Sequence, residues 1–303
     1  MTDRISRRFC EIAGENKVLE QEPMARHTTF RIGGPVDYFV ELGSIEQIRA
    51  AIQVCREENL PWFVLGRGSN LLVSDKGYRG VILSIYKDFQ KTEIQGETVT
   101  VQAGVLLTAL SGKVLDASLT GMEFASGIPG TVGGAVVMNA GAYGGEMKDI
   151  VRRVTVLDQD GEVRTLTCEE MQFGYRTSLA KKKGYIVLGA ELTLKRGEKE
   201  KIREEMQALK AKRIEKQPLE FPSAGSTFKR PEGYFAGKLI MDAGFRGAAV
   251  GGAQVSEKHC GFVVNTGNAT AADVRELMRQ VQEKVQEQFG VSLEPEVRFL
   301  GEF

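Results

Sequence analysis

The chain has 303 residues, 42% of them apolar and 26% charged, so it can bury a sizeable core, and two domains are expected rather than one. Forty basic side chains balance forty acidic ones. No global field then favours nucleic acid or an acidic membrane, and an anionic substrate must be held by local clusters. With only two histidines and four dispersed cysteines, neither a metal site, a redox dithiol nor a serine–histidine–aspartate triad is expected. The sequence shows neither a signal-peptide core nor a run of about 18 apolar residues, so a cytoplasmic protein with reduced thiols is expected.

In chain order, a short helix is expected over 3–13 and a strand over 37–41. Ser44 followed by Gln47 reads as a capping box opening a helix that runs to about 59. Strands at 62–65, 71–73 and 81–85 complete a βαββ unit. Two further strands, 91–94 and 99–103, turn at Gln95-Gly96-Glu97 and precede a helix over 106–119. Alternation over 151–158 and 163–166 around Asp160-Gly161 predicts a hairpin, and 185–194 reads as another strand. A charged helix over 198–216 ends at a turn-rich segment, 217–222. Beyond it come a helix over 235–243, strands near 251–255 and 261–265, a long helix capped by Thr270, and a closing strand over 293–300. Hairpins outnumber crossover helices, which points to an α+β fold. The boundaries expected are lobes of about 1–86 and 87–205, then a C-terminal domain, 206–303.

Eight of the twenty-five residues from Gly121 to Gly145 are glycine, with no lysine or arginine among them. Glycine is entropically costly to order, so such density means sharp turns or close backbone approach. An anion here would meet main-chain N–H groups. Gly66-Arg67-Gly68-Ser69-Asn70-Leu71 has the same character. It lacks the third glycine and following helix of a dinucleotide fingerprint, and no GxxxxGK[ST] occurs anywhere. Two such loops suggest a large nucleotide cofactor.

Seven motifs in order resemble the UDP-N-acetylenolpyruvoylglucosamine reductase family. They are residues 28–34; Gly66-Arg67-Gly68-Ser69-Asn70-Leu71-Leu72-Val73; Gly127-Ile128-Pro129-Gly130-Thr131-Val132-Gly133-Gly134; Asn139-Ala140-Gly141-Ala142-Tyr143-Gly144; Phe173-Gly174-Tyr175-Arg176-Thr177-Ser178; Ala224-Gly225-Ser226-Thr227-Phe228-Lys229; and Leu293-Glu294-Pro295-Glu296-Val297-Arg298. The resemblance runs from about residue 23 to the C-terminus. It implies a two-lobed FAD-binding domain of the vanillyl-alcohol-oxidase type and a C-terminal α+β substrate domain. It also implies NADPH as co-substrate and a nucleotide-sugar substrate reduced in peptidoglycan precursor synthesis. Because about seventy residues separate Ser226 from Glu296 without an extra tyrosine-bearing loop, the chain resembles the family's shorter subclass.

By the same resemblance, Arg176 steadies an enolate, Ser226 donates the proton, and Glu296 is the catalytic glutamate. A guanidinium's planar fork suits a carboxylate becoming an enediolate. Glu296, if protonated, donates to the enolate; if ionised, it orients Arg176 or a water. Expected FAD contacts are Gly66, Arg67, Gly68, Ser69, Asn70, Leu71, Gly127, Ile128, Pro129, Gly130, Thr131, Gly133, Gly134 and Gly141, with no covalent link through His27. Expected substrate contacts are Asn139, Tyr143, Tyr175, Lys216 and Lys229; His259 is expected to be structural. No metal, nucleic acid or membrane partner is expected, and a monomer is.

Overall fold

Helix α1 (Arg4–Ala13) opens the computed structural model, which describes residues 4–303; the expected start at Asp3 lies outside the described residues. Two compact units form, and neither is one continuous stretch. Of the described residues, the first takes 4–19, 39–67 and 81–213; the second takes 20–38, 68–80 and 214–303. Contiguous lobes ending at about 86 and 205 do not describe this grouping. Two short N-terminal segments belong with the C-terminal residues because Phe30, Ile32 and Leu72 are buried in the same apolar cluster as Val274, Leu277 and Val281.

In the first unit, Ser44 Oγ caps helix α2 (Ile45–Glu57) by accepting from the Gln47 amide at 3.2 Å. The expected reciprocal bond is displaced by one residue: Gln47 Oε1 accepts from the Gly43 amide at 2.8 Å, and its Nε2 donates to Ile12 O. Strand Trp62–Leu65 pairs in parallel with residues from Val81 onward in Tyr78–Ser84. Helix α3 (Leu107–Asp116) stops before the expected end at 119. Ser118 takes φ 55°, and Leu119–Thr120 instead pairs with Lys195–Arg196.

A five-stranded antiparallel sheet forms the body of this unit. Its order is Val163–Thr167, Val151–Leu157, Ile186–Thr193, Thr98–Gln102, Thr92–Gln95. Helix α4 (Val132–Met138), inside the glycine-dense run, was not expected; its signal was Thr131, whose Oγ1 accepts from the Gly134 amide. Helix α5 (Leu179–Lys183) follows its cap, Ser178, and the charged helix α6 (Lys199–Lys216) comes next.

The second unit holds a four-stranded antiparallel sheet, ordered Ser223–Ser226, Phe262–Asn265, Ala253–Val255, Ala249–Val250. Helices α7 (Ala236–Asp242) and α8 (Ala271–Phe289) carry its core, and α8 opens with a complete capping box of Thr270 and Asp273. Val274, Leu277, Met278, Val281 and Val285 are buried at helical spacing. Each contributes roughly 1.5–3 kcal/mol. The expected 71–73 strand is present, but Leu71–Val73 pairs in parallel with Arg298–Leu300 instead of completing a local βαββ unit. The expected closing strand is shortened to Arg298–Leu300 for a local reason. Pro295 lacks an N–H to extend a ladder, and residues 293–297 are held by single bonds to 227–229.

Candidate active site

The two glycine loops meet in the first unit. A Cβ on Gly66 would lie 2.5 Å from Thr131 Oγ1, so only glycine allows that approach. Gly133 is equally constrained, since its Cβ would sit 2.8 Å from Ala103 Cβ. Two of the residues expected to contact the cofactor, Ile128 and Gly133, and their neighbour Val132 have protein acceptors for their amides. Ile128 N–H donates to Ala125 O, Val132 N–H to Val105 O at 2.8 Å, and Gly133 N–H to Ala103 O at 2.9 Å. Close packing therefore accounts for Gly66 and Gly133, whereas Gly134 is exposed. Pro129 is exposed and Gly130 half-buried, its carbonyl accepting from the Leu107 amide, and exposed Arg67 stacks over the Tyr86 ring at 5.4 Å. Two loops far apart in sequence converge, which fits a single extended nucleotide.

Helix α4 ends at Asn139, which adopts the left-handed region (φ 43°) and is fully buried. Its carboxamide is engaged within the protein. Nδ2 donates to Glu146 Oε2 at 2.7 Å and to Gly174 O at 3.2 Å, and Oδ1 accepts from the Lys148 amide at 2.9 Å. The structure thus gives Asn139 internal partners where sequence suggested a substrate contact. Gly141–Ala142 and Gly145–Glu146 then form a hairpin whose tip, Tyr143-Gly144, has two positive φ values, as a type I′ turn requires. A Cβ on Gly141 would strike Gly145 O, so this glycine also serves packing. The Tyr143 side chain stands exposed.

Arg176 lies in a tight turn closed by two bonds: Gly174 N–H to Thr177 O and Thr177 N–H to Gly174 O. Its φ is 55°. A non-glycine residue there costs about 1–2 kcal/mol, and such strain persists where surrounding structure imposes it. The guanidinium stacks on the exposed ring of Tyr175 at 5.0 Å.

Arg213 belongs to the basic cluster at the end of α6, from which the sequence favours Lys216 as the phosphate contact. It is half-buried, and burial lowers its pKa. Its Nη1 would lie 2.9 Å from a Cβ on Gly127. No carboxylate pairs with it among the described residues. A desolvated cation beside a glycine loop is a natural seat for phosphate oxygens.

In the second unit, Ser223–Ser226 carries an irregularity: Ser223 faces Val264 but Ser226 faces Phe262, so one extra residue is accommodated. Gly225 (φ 79°) allows that bulge. Bulges of this kind re-aim side chains beside active sites. Thr227 fixes the next position, its N–H donating to Gly261 O at 2.8 Å and its Oγ1 accepting from the Val263 amide at 2.9 Å. Thr227 O accepts from the Glu296 amide at 2.8 Å, and Lys229 N–H donates to Glu294 O. Ser226 and Glu296, seventy residues apart, are thereby set on adjoining backbone, both half-buried. Asn70 joins them, its Nδ2 donating to Glu296 O at 3.1 Å and its carbonyl accepting from the Arg298 amide.

Other expected contacts fall differently. The Leu71 side chain is buried core. A Cβ on Gly68 (φ 64°) would collide with His27 O, so this glycine is required by packing; Ser69 beside it is half-buried. Lys229 is not an uncommitted cation: its Nζ pairs with Glu294 at 2.6 Å and holds that carboxyl below its ordinary range. Lys216 is exposed at the end of α6. His27 Nε2 meets Glu22 at 3.0 Å. His259 Nδ1 accepts from the Gly261 amide, its ring sits edge-on to Phe262, and burial lowers its pKa.

Residues 36–167 match the FAD binding domain model, and residues 217–300 match the C-terminal domain model of UDP-N-acetylenolpyruvoylglucosamine reductase. A reductase of that name from Agathobacter rectalis is 56% identical over 298 residues, covering 94% of this chain and 95% of the relative. Another, from Lachnoclostridium phytofermentans, is 53% identical and covers 100% and 99%. The chain belongs to the UDP-N-acetylenolpyruvoylglucosamine reductase family.

The crystal structure of the Thermus caldophilus reductase superposes with a TM-score of 0.80 at 38% identity, covering 92% of this chain and 97% of that one. Phl p 4.0202, a glucose dehydrogenase, shares the fold alone, with a TM-score of 0.52 at 15% identity over 65% of this chain and 45% of its own. The protein is therefore an FAD-binding oxidoreductase of α+β fold, with the vanillyl-alcohol-oxidase type of flavin domain. No helix among the described residues is long and apolar enough to cross a membrane.

Proposed function

We propose that this chain reduces UDP-N-acetylglucosamine enolpyruvate to UDP-N-acetylmuramate with NADPH as electron donor, as a cytoplasmic monomer in peptidoglycan precursor synthesis. Noncovalently bound FAD supplies the hydride chemistry, which is why the site needs no histidine triad. The remaining work belongs to side chains. Arg176 presents a permanent charge to the substrate carboxylate as negative charge accumulates on it. Ser226 delivers a proton to the carbon that becomes the lactyl centre. Glu296 steadies the same charge or the group that neutralises it.

The observation that supports this reading is the Glu296 amide bonded to Thr227 O, the carbonyl of the residue that follows Ser226. For the diphosphate, half-buried Arg213 is a better candidate than Lys229, which is paired with Glu294. Lys216, Tyr143 and Tyr175 are exposed and contact the rest of the substrate.

The test is spectral and anaerobic. NADPH should bleach the yellow protein, and the enolpyruvyl nucleotide should restore its colour. Rapid oxygen uptake with an alcohol or lactone, independent of that nucleotide, would make the chain an oxidase of the wider fold instead.

A further inference from the structure

We propose that Asn139 is a positioning residue that holds Arg176 in its working conformation, with Lys181 as the second fastener; this rests on the assignment of Arg176 above. Arg176 sits at φ 55° in a turn that an arginine would not adopt unaided. Two side chains grip that turn by its carbonyls. Asn139 Nδ2 donates to Gly174 O at 3.2 Å, before the arginine, and Lys181 Nζ donates to Arg176 O at 2.9 Å. Ser178 closes the exit, its Oγ donating to Val137 O at 2.8 Å and accepting from the Lys181 amide.

Asn139 does more than bond to the turn. Both hydrogens of its Nδ2 are used, one toward Gly174 O and one toward Glu146 Oε2, and Oδ1 takes the Lys148 amide. Glu146 belongs to the hairpin that carries Tyr143. One buried carboxamide therefore sets the spacing between the Tyr143 tip and the Tyr175-Arg176 tip. The left-handed backbone at 139 is satisfied by glycine as well as asparagine, but only asparagine supplies the two donors and the acceptor. That difference separates positioning from simple helix termination.

The experiment uses FAD-loaded protein and the variants Asn139→Gly, Asn139→Asp, Lys181→Met and Lys181→Arg, with Arg176→Lys as reference. Both half-reactions are followed anaerobically, and hydrogen exchange over residues 172–181 is measured in the FAD-free protein. Asn139→Gly and Asn139→Asp should slow flavin reoxidation by the enolpyruvyl nucleotide about 10²-fold, the scale of a small misplacement of a reacting group. Reduction by NADPH should stay near the parent rate, and the Thr177 amide should exchange faster. Lys181→Met should do the same more weakly, and Lys181→Arg, which keeps a donor, should recover. Parent-like reoxidation in Asn139→Gly would overturn the proposal, because backbone conformation alone would then suffice. An equal fall in both half-reactions would overturn it too, as the mark of a general structural role. Intact reoxidation in Arg176→Lys would instead remove the assignment of Arg176 itself. Exchange at Thr177 would then still report whether Asn139 holds the turn.

Discussion

The turn around Arg176 and the paired segments around Ser226 and Glu296 hold their functional groups by opposite means. Arg176 occupies a strained backbone position fastened by side chains, those of Asn139, Lys181 and Ser178. Ser226 and Glu296 are set by main-chain bonds through Thr227, with a glycine-permitted bulge to turn the serine. A charge held by side chains is sensitive to substitutions at a distance, because each fastener can be removed singly. A hydroxyl held by a backbone ladder tolerates side-chain substitutions in position, because the main-chain bonds remain, and the cost falls on stability alone.

That contrast breaks first at the chemistry. Arg176→Lys and Ser226→Ala should each slow the second half-reaction by roughly 10² to 10³ while NADPH bleaches the protein at nearly the parent rate. Stopped-flow absorbance separates the two phases, and equal loss in both would remove the assigned roles. The supports come next. Thr227→Val should lower stability by about 2 kcal/mol, because the Val263 amide is left buried without its acceptor. Ser178→Ala should cost about 1 kcal/mol as a lost helix cap. Urea titrations measure both, and only Ser178→Ala should also slow the second half-reaction.

Arg213→Gln should weaken nucleotide binding about tenfold, the scale of one lost charge-assisted bond, with little change in rate at saturation. Calorimetric titration with the substrate checks this. The smallest effect should come from Asp273, far in role from either region. The Thr270 amide holds its carboxyl below the ordinary range. A depressed folded pKa means that the stabilisation is present above the unfolded value, about 3.9, and disappears as pH falls through the lower folded one. Asp273→Asn should therefore cost on the order of 0.5 kcal/mol at neutral pH and nothing in strong acid. Thermal melts across that range, at low salt, show the convergence.

Local chemistry made much of this molecule readable beforehand. Ser44, Thr270 and the Asp160-Gly161 turn announce their elements because a cap or a turn acts within four residues. Helix α4 escaped because glycine at 133 and 134 reads as loop, although Thr131 caps it and Gly133 must be small to pass Ala103. The glycine loops suggest bare amides awaiting an anion, but Ile128 and Gly133 already have protein acceptors for theirs. Arg213 could not be singled out from its basic cluster, because basic residues near a helix end usually face solvent and only folding reveals the one that is desolvated.

From residue order alone came the motifs, their family, the α+β class, and the proposal of Arg176, Ser226 and Glu296 as cation, hydroxyl and acid. Tertiary structure alone decided that Leu71–Val73 pairs with Arg298–Leu300, that Asn139 faces inward, and that Thr227 brings Ser226 beside Glu296. The physical reason is range. Caps, turns and periodicity act over a few residues, whereas a parallel pairing or a buried carboxamide takes partners from tens to hundreds of positions away, and nothing local names them.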